Sequence, residues 1–138
     1  MSYGEPVGDY RELSEFNDLD TTDIFARMIY SEAGGESCTG KVAVAYVAKN
    51  RADNGYMGMY TLREQLLKKY QFDGLTQKTA RKPDTSSTAW GHCLDIAYNI
   101  DKNDNPIGDR LFFRATWMEL PSGAHDVKTI GNQNFYNL

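Results

Sequence analysis

Apolar positions recur at helical spacing in four stretches of the chain. Over residues 22–33, Ile24, Phe25, Met28 and Ile29 fall on one face, which predicts an amphipathic helix. Asp20, Thr21 or Thr22 can cap it by accepting a bond from an orphan N–H. Gly34 predicts its stop, through the left-handed conformation that glycine takes cheaply. A second helix is expected over 39–52, with Val42, Ala45, Tyr46 and Lys49 on one side and Ala43, Val47 and Asn50 on the next. Asn54-Gly55 ends it. Thr61-Leu62-Arg63-Glu64 fits a capping box and opens a third helix, expected to reach the vicinity of Tyr70. The fourth, over 86–100, carries the stripe Ala89, Cys93, Ile96, Ala97 and Ile100, with Asp84 or Thr85 as its cap.

The pattern changes after Ile100. Residues 101–106 are turn chemistry, and residues 110–117 form an aromatic-rich strand candidate. After a turn at Pro121-Ser122-Gly123, residues 127–130 and 134–137, split by Gly131-Asn132, predict an antiparallel hairpin. Residues 1–20 lack periodicity and read as an irregular lead-in with a helical turn near Leu13; residues 77–84, with Lys78, Arg81 and Lys82, read as a solvated loop. The fold class expected is α+β: mostly helical, with a short antiparallel sheet from the C-terminal third, in one domain over 21–138.

A chain of 138 residues buries enough surface to stand without metal or disulfide staples. The net charge of −4, with basic and acidic residues well mixed, argues against a nucleic-acid partner, which needs a basic footprint. No apolar run approaches the ~20 residues that span a bilayer, and no basic amphipathic helix suits a membrane surface. Residues 1–20 lack the apolar centre of a signal peptide, so release by a phage or prophage route, or a trimmed chain, is expected. Cys38 and Cys93 show no ligand or redox spacing and read as reduced, half-buried packing residues. Nine tyrosines suit a wet, partly apolar groove, although most of them fit the core edge as well.

Between the first two helices lies Tyr30-Ser31-Glu32-Ala33-Gly34-Gly35-Glu36. Two carboxyls can divide the work on a glycosidic bond when roughly 5–5.5 Å apart. The double glycine makes a continuous helix between Glu32 and Glu36 doubtful, so one Glu acting as acid and then as base is the simpler chemistry. Apolar walls can raise such a Glu to a pKa of about 6–7, and Ile29, Tyr30 and Phe72 are candidates for those walls. Two exposed glutamates pairing with Lys or Arg are the plain alternative.

The segment from Ala26 to Glu36, followed by Gly40-Lys41-Val42-Ala43-Val44-Ala45 and Asn50-Arg51, resembles the opening signature of the SleB-type cell-wall hydrolases, the family of the spore cortex-lytic enzymes. Tyr70-Gln71-Phe72, Phe112-Phe113-Arg114-Ala115-Thr116 and Ile130-Gly131-Asn132-Gln133-Asn134-Phe135-Tyr136 resemble its later blocks, in the same order. The family's last block usually carries a His where Gln133-Asn134 stand here. The resemblance implies a lysozyme-like domain acting at the bacterial cell wall on peptidoglycan glycan strands, as a monomer, without metal or cofactor. It implies Glu32 as the catalytic acid of a lytic transglycosylase, cutting between N-acetylmuramic acid and N-acetylglucosamine. It implies Gln71, Phe72, Thr116 and Tyr136 as substrate-binding residues, to which the reading of the corner itself adds Tyr30 and Glu36.

Other readings stay open: a hydrolytic muramidase or glucosaminidase on the same fold, a Cys/His amidase or peptidase acting on the peptide stems, and a glycan-binding module without activity. His92-Cys93 are neighbours on a helix and point apart, which disfavours that pair. His92 and His125 otherwise read as incidental. Trp90 and Trp117 read as packing residues, with sugar stacking as the alternative.

Overall fold

The computed structural model describes residues 3–8 and 10–138. Among the described residues, five α-helices precede three strands: α1 Thr21–Ala33, α2 Cys38–Asn54, α3 Leu62–Leu66, α4 Lys78–Arg81, α5 Thr88–Tyr98, then β1 Phe112–Ala115, β2 His125–Ile130 and β3 Gln133–Asn137. Short 3-10 turns at Leu13–Phe16, Tyr56–Gly58, Asp73–Thr76 and Ile100–Lys102 link them.

α2 is the central helix. Val42 to Ala48 are all buried, so it packs on every side rather than along one stripe. α1 lies against α2 and α5 and buries Ile24, Phe25, Met28 and Ile29. Asp20 caps α1, accepting the Asp23 N–H at 3.0 Å. Thr61 caps α3 through the Glu64 N–H at 3.2 Å, but the Glu64 carboxylate takes the Thr61 hydroxyl rather than its backbone N–H. α3 is then a single turn that stops at Leu67, short of the expected end. The cap of α5 is Ser87, not Asp84 or Thr85, because the Asp84 carboxylate is occupied by the N–H and hydroxyl of Ser86.

The solvated loop expected over 77–84 is instead folded inward. α4 forms there and buries Ala80 and Arg81. Arg81 donates to the carbonyls of Gly8 and Glu12, pairs with the Glu15 carboxylate and lies over the Phe16 ring. Arg27 of α1, equally buried, pairs with Asp23 at 2.9 Å and donates to the carbonyls of Ala80 and Glu5. These two guanidiniums bind the lead-in to the helical body through their terminal nitrogens and Arg27 Nε, while Arg81 Nε is buried without a partner among the described residues.

Gly34 ends α1 in the right-handed region at φ −57°, not the left-handed one expected. It is required by closeness: a Cβ there would stand 2.5 Å from the Tyr30 carbonyl oxygen. The sheet is antiparallel with β3 in the middle, ordered β1-β3-β2. Phe113 pairs with Phe135 and Ala115 with Gln133, which fixes the side chains that share the inner face.

Candidate active site

Glu32 lies in the last turn of α1, and the chain reverses directly after it. The Glu36 N–H closes on the Ala33 carbonyl at 2.9 Å, and Ser37 caps α2. The Glu32 side chain is half-buried and turned toward the 3-10 turn at Asp73–Thr76. Its Oε1 accepts the Gly74 N–H at 2.7 Å. A Cβ at position 74 would stand 2.4 Å from that oxygen and 2.4 Å from Ser31 Oγ, so only glycine lets the turn come this near.

Burial pushes the Glu32 carboxyl above its ordinary pKa. The Gly74 N–H opposes that by stabilising the anion, and the Asp73 charge adds to it. The net direction is upward. A carboxyl so placed keeps its proton at a pH where exposed glutamates have lost theirs, which is the requirement for a general acid.

Glu32 stands on the wall between two hollows. On one side is a cleft of about 420 Å³, whose lining includes Arg51, Gln71, Asp73, Ala115 and Gln133. On the other is a hollow of about 320 Å³ between Tyr30, Glu36, Thr79 and Ala89. Glu32 therefore lines both hollows rather than standing on a convex surface.

The cleft's far wall rests on Arg51. This residue is 5% exposed, and its guanidinium lies within 5.0–5.2 Å of the ring centres of Tyr56, Phe72 and Phe112. Nε donates to the Leu111 carbonyl at 2.7 Å, tying α2 to the approach of β1. Nη1 donates to Gln71 Oε1 at 3.2 Å. An Arg can only donate, so it fixes which end of the Gln71 amide faces it and leaves the NH₂ toward the cleft.

The residues expected at the site divide into two groups. Glu32 and Gln71 share the cleft; Tyr30 and Glu36 share the hollow with Glu32. The Tyr30 ring meets Trp90 edge-on at 5.6 Å. The Glu36 carboxylate is already engaged, accepting the Asn132 N–H at 2.9 Å and its side-chain amide at 3.2 Å, so it ties the helix corner to the tip of the β2–β3 hairpin. Phe72 and Tyr136 are interior: Phe72 is 3% exposed under Arg51, and Tyr136 is 4% exposed and stacked on Phe112. Thr116 is exposed and bonded through its N–H to the Asn132 carbonyl.

Arg51, Asp73 and Gln133 in the cleft, and Gly74 against Glu32, are polar or backbone contributors that sequence reading did not assign. Gln133 had a signal: it stands two positions before the buried Phe135 on one strand, at a place the alternation reserves for an inward side chain. Arg51 and Gly74 had none beyond the motifs around them, since their roles arise from contacts 20 to 42 residues away in sequence.

Neither thiol is half-buried as expected. Cys38 is exposed and Cys93 fully buried, with its thiol pushed up to about 12 by burial. A thiol at that pKa is not a nucleophile at neutral pH. Cys38 lies in a hollow with Thr39, Val42, Asn103, Asp104 and Pro106, which contains no His to activate it. Trp90 is core, as expected, whereas Trp117 is 78% exposed and is not a packing residue.

The family profile described as Cell Wall Hydrolase matches residues 35–136, about three quarters of the chain. The chain belongs to the cell wall hydrolase family. The match begins three positions after Glu32, so the carboxyl is placed by the structure rather than by the family match. Two solved structures share the fold of this cell wall hydrolase. One is the catalytic domain of the germination-specific lytic transglycosylase SleB from Bacillus anthracis: 20% identity, 87% of this chain and 96% of that one covered, TM-score 0.67. The other is the catalytic domain of the Bacillus cereus SleB protein: 21% identity, 94% and 98% covered, TM-score 0.62. No curated protein sequence matches the chain. The fold is thus the lysozyme-like, mainly helical one with a small antiparallel sheet.

Proposed function

We propose that this cell wall hydrolase cuts the glycan strands of peptidoglycan as a lytic transglycosylase, with Glu32 as its only acid and base. The observation that carries the proposal is the Glu32 carboxyl, its pKa raised by burial, on the wall between two hollows and bonded to the Gly74 N–H. The Bacillus anthracis SleB domain of the same fold is a lytic transglycosylase, which supports the same chemistry.

The protonated carboxyl gives its hydrogen to the oxygen joining N-acetylmuramic acid to N-acetylglucosamine, and the C1–O bond breaks. The carboxylate left behind takes the proton from the muramic 6-hydroxyl as that oxygen closes on C1. A 1,6-anhydro ring forms, no water is consumed, and Glu32 regains its proton for the next cut. The Gly74 N–H steadies the carboxylate between the two steps.

A hydrolytic reading has one observation in its favour. Asp73 lines the same cleft as Glu32 and acts on its charge, and a second carboxylate can activate a water. Mass spectrometry of muropeptides from digested peptidoglycan decides between them. Anhydro-muramic ends, lighter by one water than reducing ends, are expected from the native chain and from Asp73→Asn, and neither end from Glu32→Gln. Reducing ends that vanish in Asp73→Asn would establish hydrolysis instead.

A further inference from the structure

Gln133 begins β3, opposite Ala115 of β1 and Ile130 of β2. Its side chain is 9% exposed and lines the cleft beside Glu32. Its Oε1 is buried and accepts no hydrogen bond among the described residues. A buried acceptor without a donor is costly, and in native structures it is normally filled by a protein group, a water or a ligand. The same amide carries two N–H donors, so the side chain can both accept and donate at one place.

The surroundings narrow what could meet it. Ala115, its partner across the strands, leaves space where a larger residue would fill the cleft. Phe113 and Met118 give that space apolar walls. Gln71, held by Arg51 through its oxygen, presents N–H donors to the same cleft. The group that answers these features has one N–H to give, one carbonyl to receive and a methyl to bury. A hydroxyl lacks the methyl and a free amine lacks the acceptor.

We propose that Gln133 recognises the acetamido group of an N-acetylated amino sugar lying in the cleft beside Glu32. The assignment rests on the glycan reading of the site and deepens it: the enzyme would require N-acetylation at this sugar. Strands whose glucosamine nitrogen is unacetylated would be poor substrates.

The test is binding, read by calorimetry on the Glu32→Gln protein so that turnover does not intervene. The probes are an N-acetylglucosamine tetrasaccharide and its de-N-acetylated counterpart. The parent is expected to bind the acetylated probe about tenfold or more tightly, the ratio one or two lost hydrogen bonds imply. Adding Gln133→Leu should bring that ratio near one, and comparing the two proteins cancels the effect of the amine's charge. Gln133→Met, of similar length and without charge, serves if the leucine variant does not fold: a thioether cannot donate to the acetyl carbonyl, so this variant also loses the preference. A preference that survives in both variants, equal weakening toward both probes, or no binding of either probe overturns the assignment. Failure of the glycosidase reading shows separately, as peptidoglycan cleavage by Glu32→Gln at the native rate while the acetamido preference persists.

Discussion

The N–H of Gly74 and the carboxylate oxygen of Glu32 meet at 2.7 Å, across 42 residues of sequence. This contact holds the acid in place and moderates the pKa rise that burial causes. A methyl at position 74 has nowhere to go but into the carboxylate and Ser31. Gly74→Ala is expected to lower kcat about a hundredfold, the scale of an ~1 Å misplacement of a reacting group. KM should move little, because the cleft walls are intact. Steady-state release of soluble muropeptides measures both.

Glu32 carries a raised pKa in the folded protein, so the native state binds its proton more tightly than the unfolded chain does. Stability from this group is complete at low pH and declines as pH rises past the ordinary glutamate range and through the raised folded value. Glu32→Gln removes that penalty. Thermal melts should show the variant a few degrees more stable than the native chain at pH 7, where ~1 kcal/mol corresponds to about 2–4 °C. The two should converge near pH 4. Activity should follow the same course, falling above the raised value as the acid loses its proton.

Glu36 tethers the helix corner to the hairpin tip with two bonds to Asn132. Glu36→Ala should cost about 1–2 kcal/mol, since hydrogen bonds to a charged group contribute on the order of 1.5–3 kcal/mol when both partners are held, and less at an exposed site. Hydrogen exchange should speed up at residues 130–134 and not in α2. Were Glu36 a second catalytic carboxyl, cleavage would vanish in this variant; a partial loss is expected, arising from the displaced hairpin.

Arg51 spends its charge on three rings, Gln71 and the Leu111 carbonyl. A lysine keeps the charge but not the planar fork or the stacking. Arg51→Lys should destabilise by about 2 kcal/mol or more, as expected when a buried hydrogen-bonding network is broken. Gln71 would then be free to turn, and KM should rise more than kcat falls. Chemical denaturation and substrate titration give the two numbers.

The helical half of this architecture was plain in the order of residues. α1 combines periodic apolar positions with Asp20 at its start, and α2 a run of small and apolar residues with Gly55 at its end, so local and tertiary preferences agree. The corner carrying Glu32 followed from the same signals. The misreadings share a cause. Arg81 looks like a surface charge until its carbonyl and carboxylate partners arrive from the lead-in. Phe72 and Tyr136 sit in motifs near the cleft, yet their rings turn inward to support it. The cleft's polar lining, Arg51 and Gln133 above all, depends on strand register and on the turn at Gly74, neither of which local sequence specifies.

The acid on its saddle, with a depression falling away on each flank, has a consequence for how a polymer would be degraded. A blind pocket grips chain termini and shortens a strand unit by unit. A strand laid across both depressions would be cut wherever along its length it settles. Under the proposed chemistry, early digests would hold fragments of many sizes, and the wall would lose its mechanical continuity long before most of its sugar had been released.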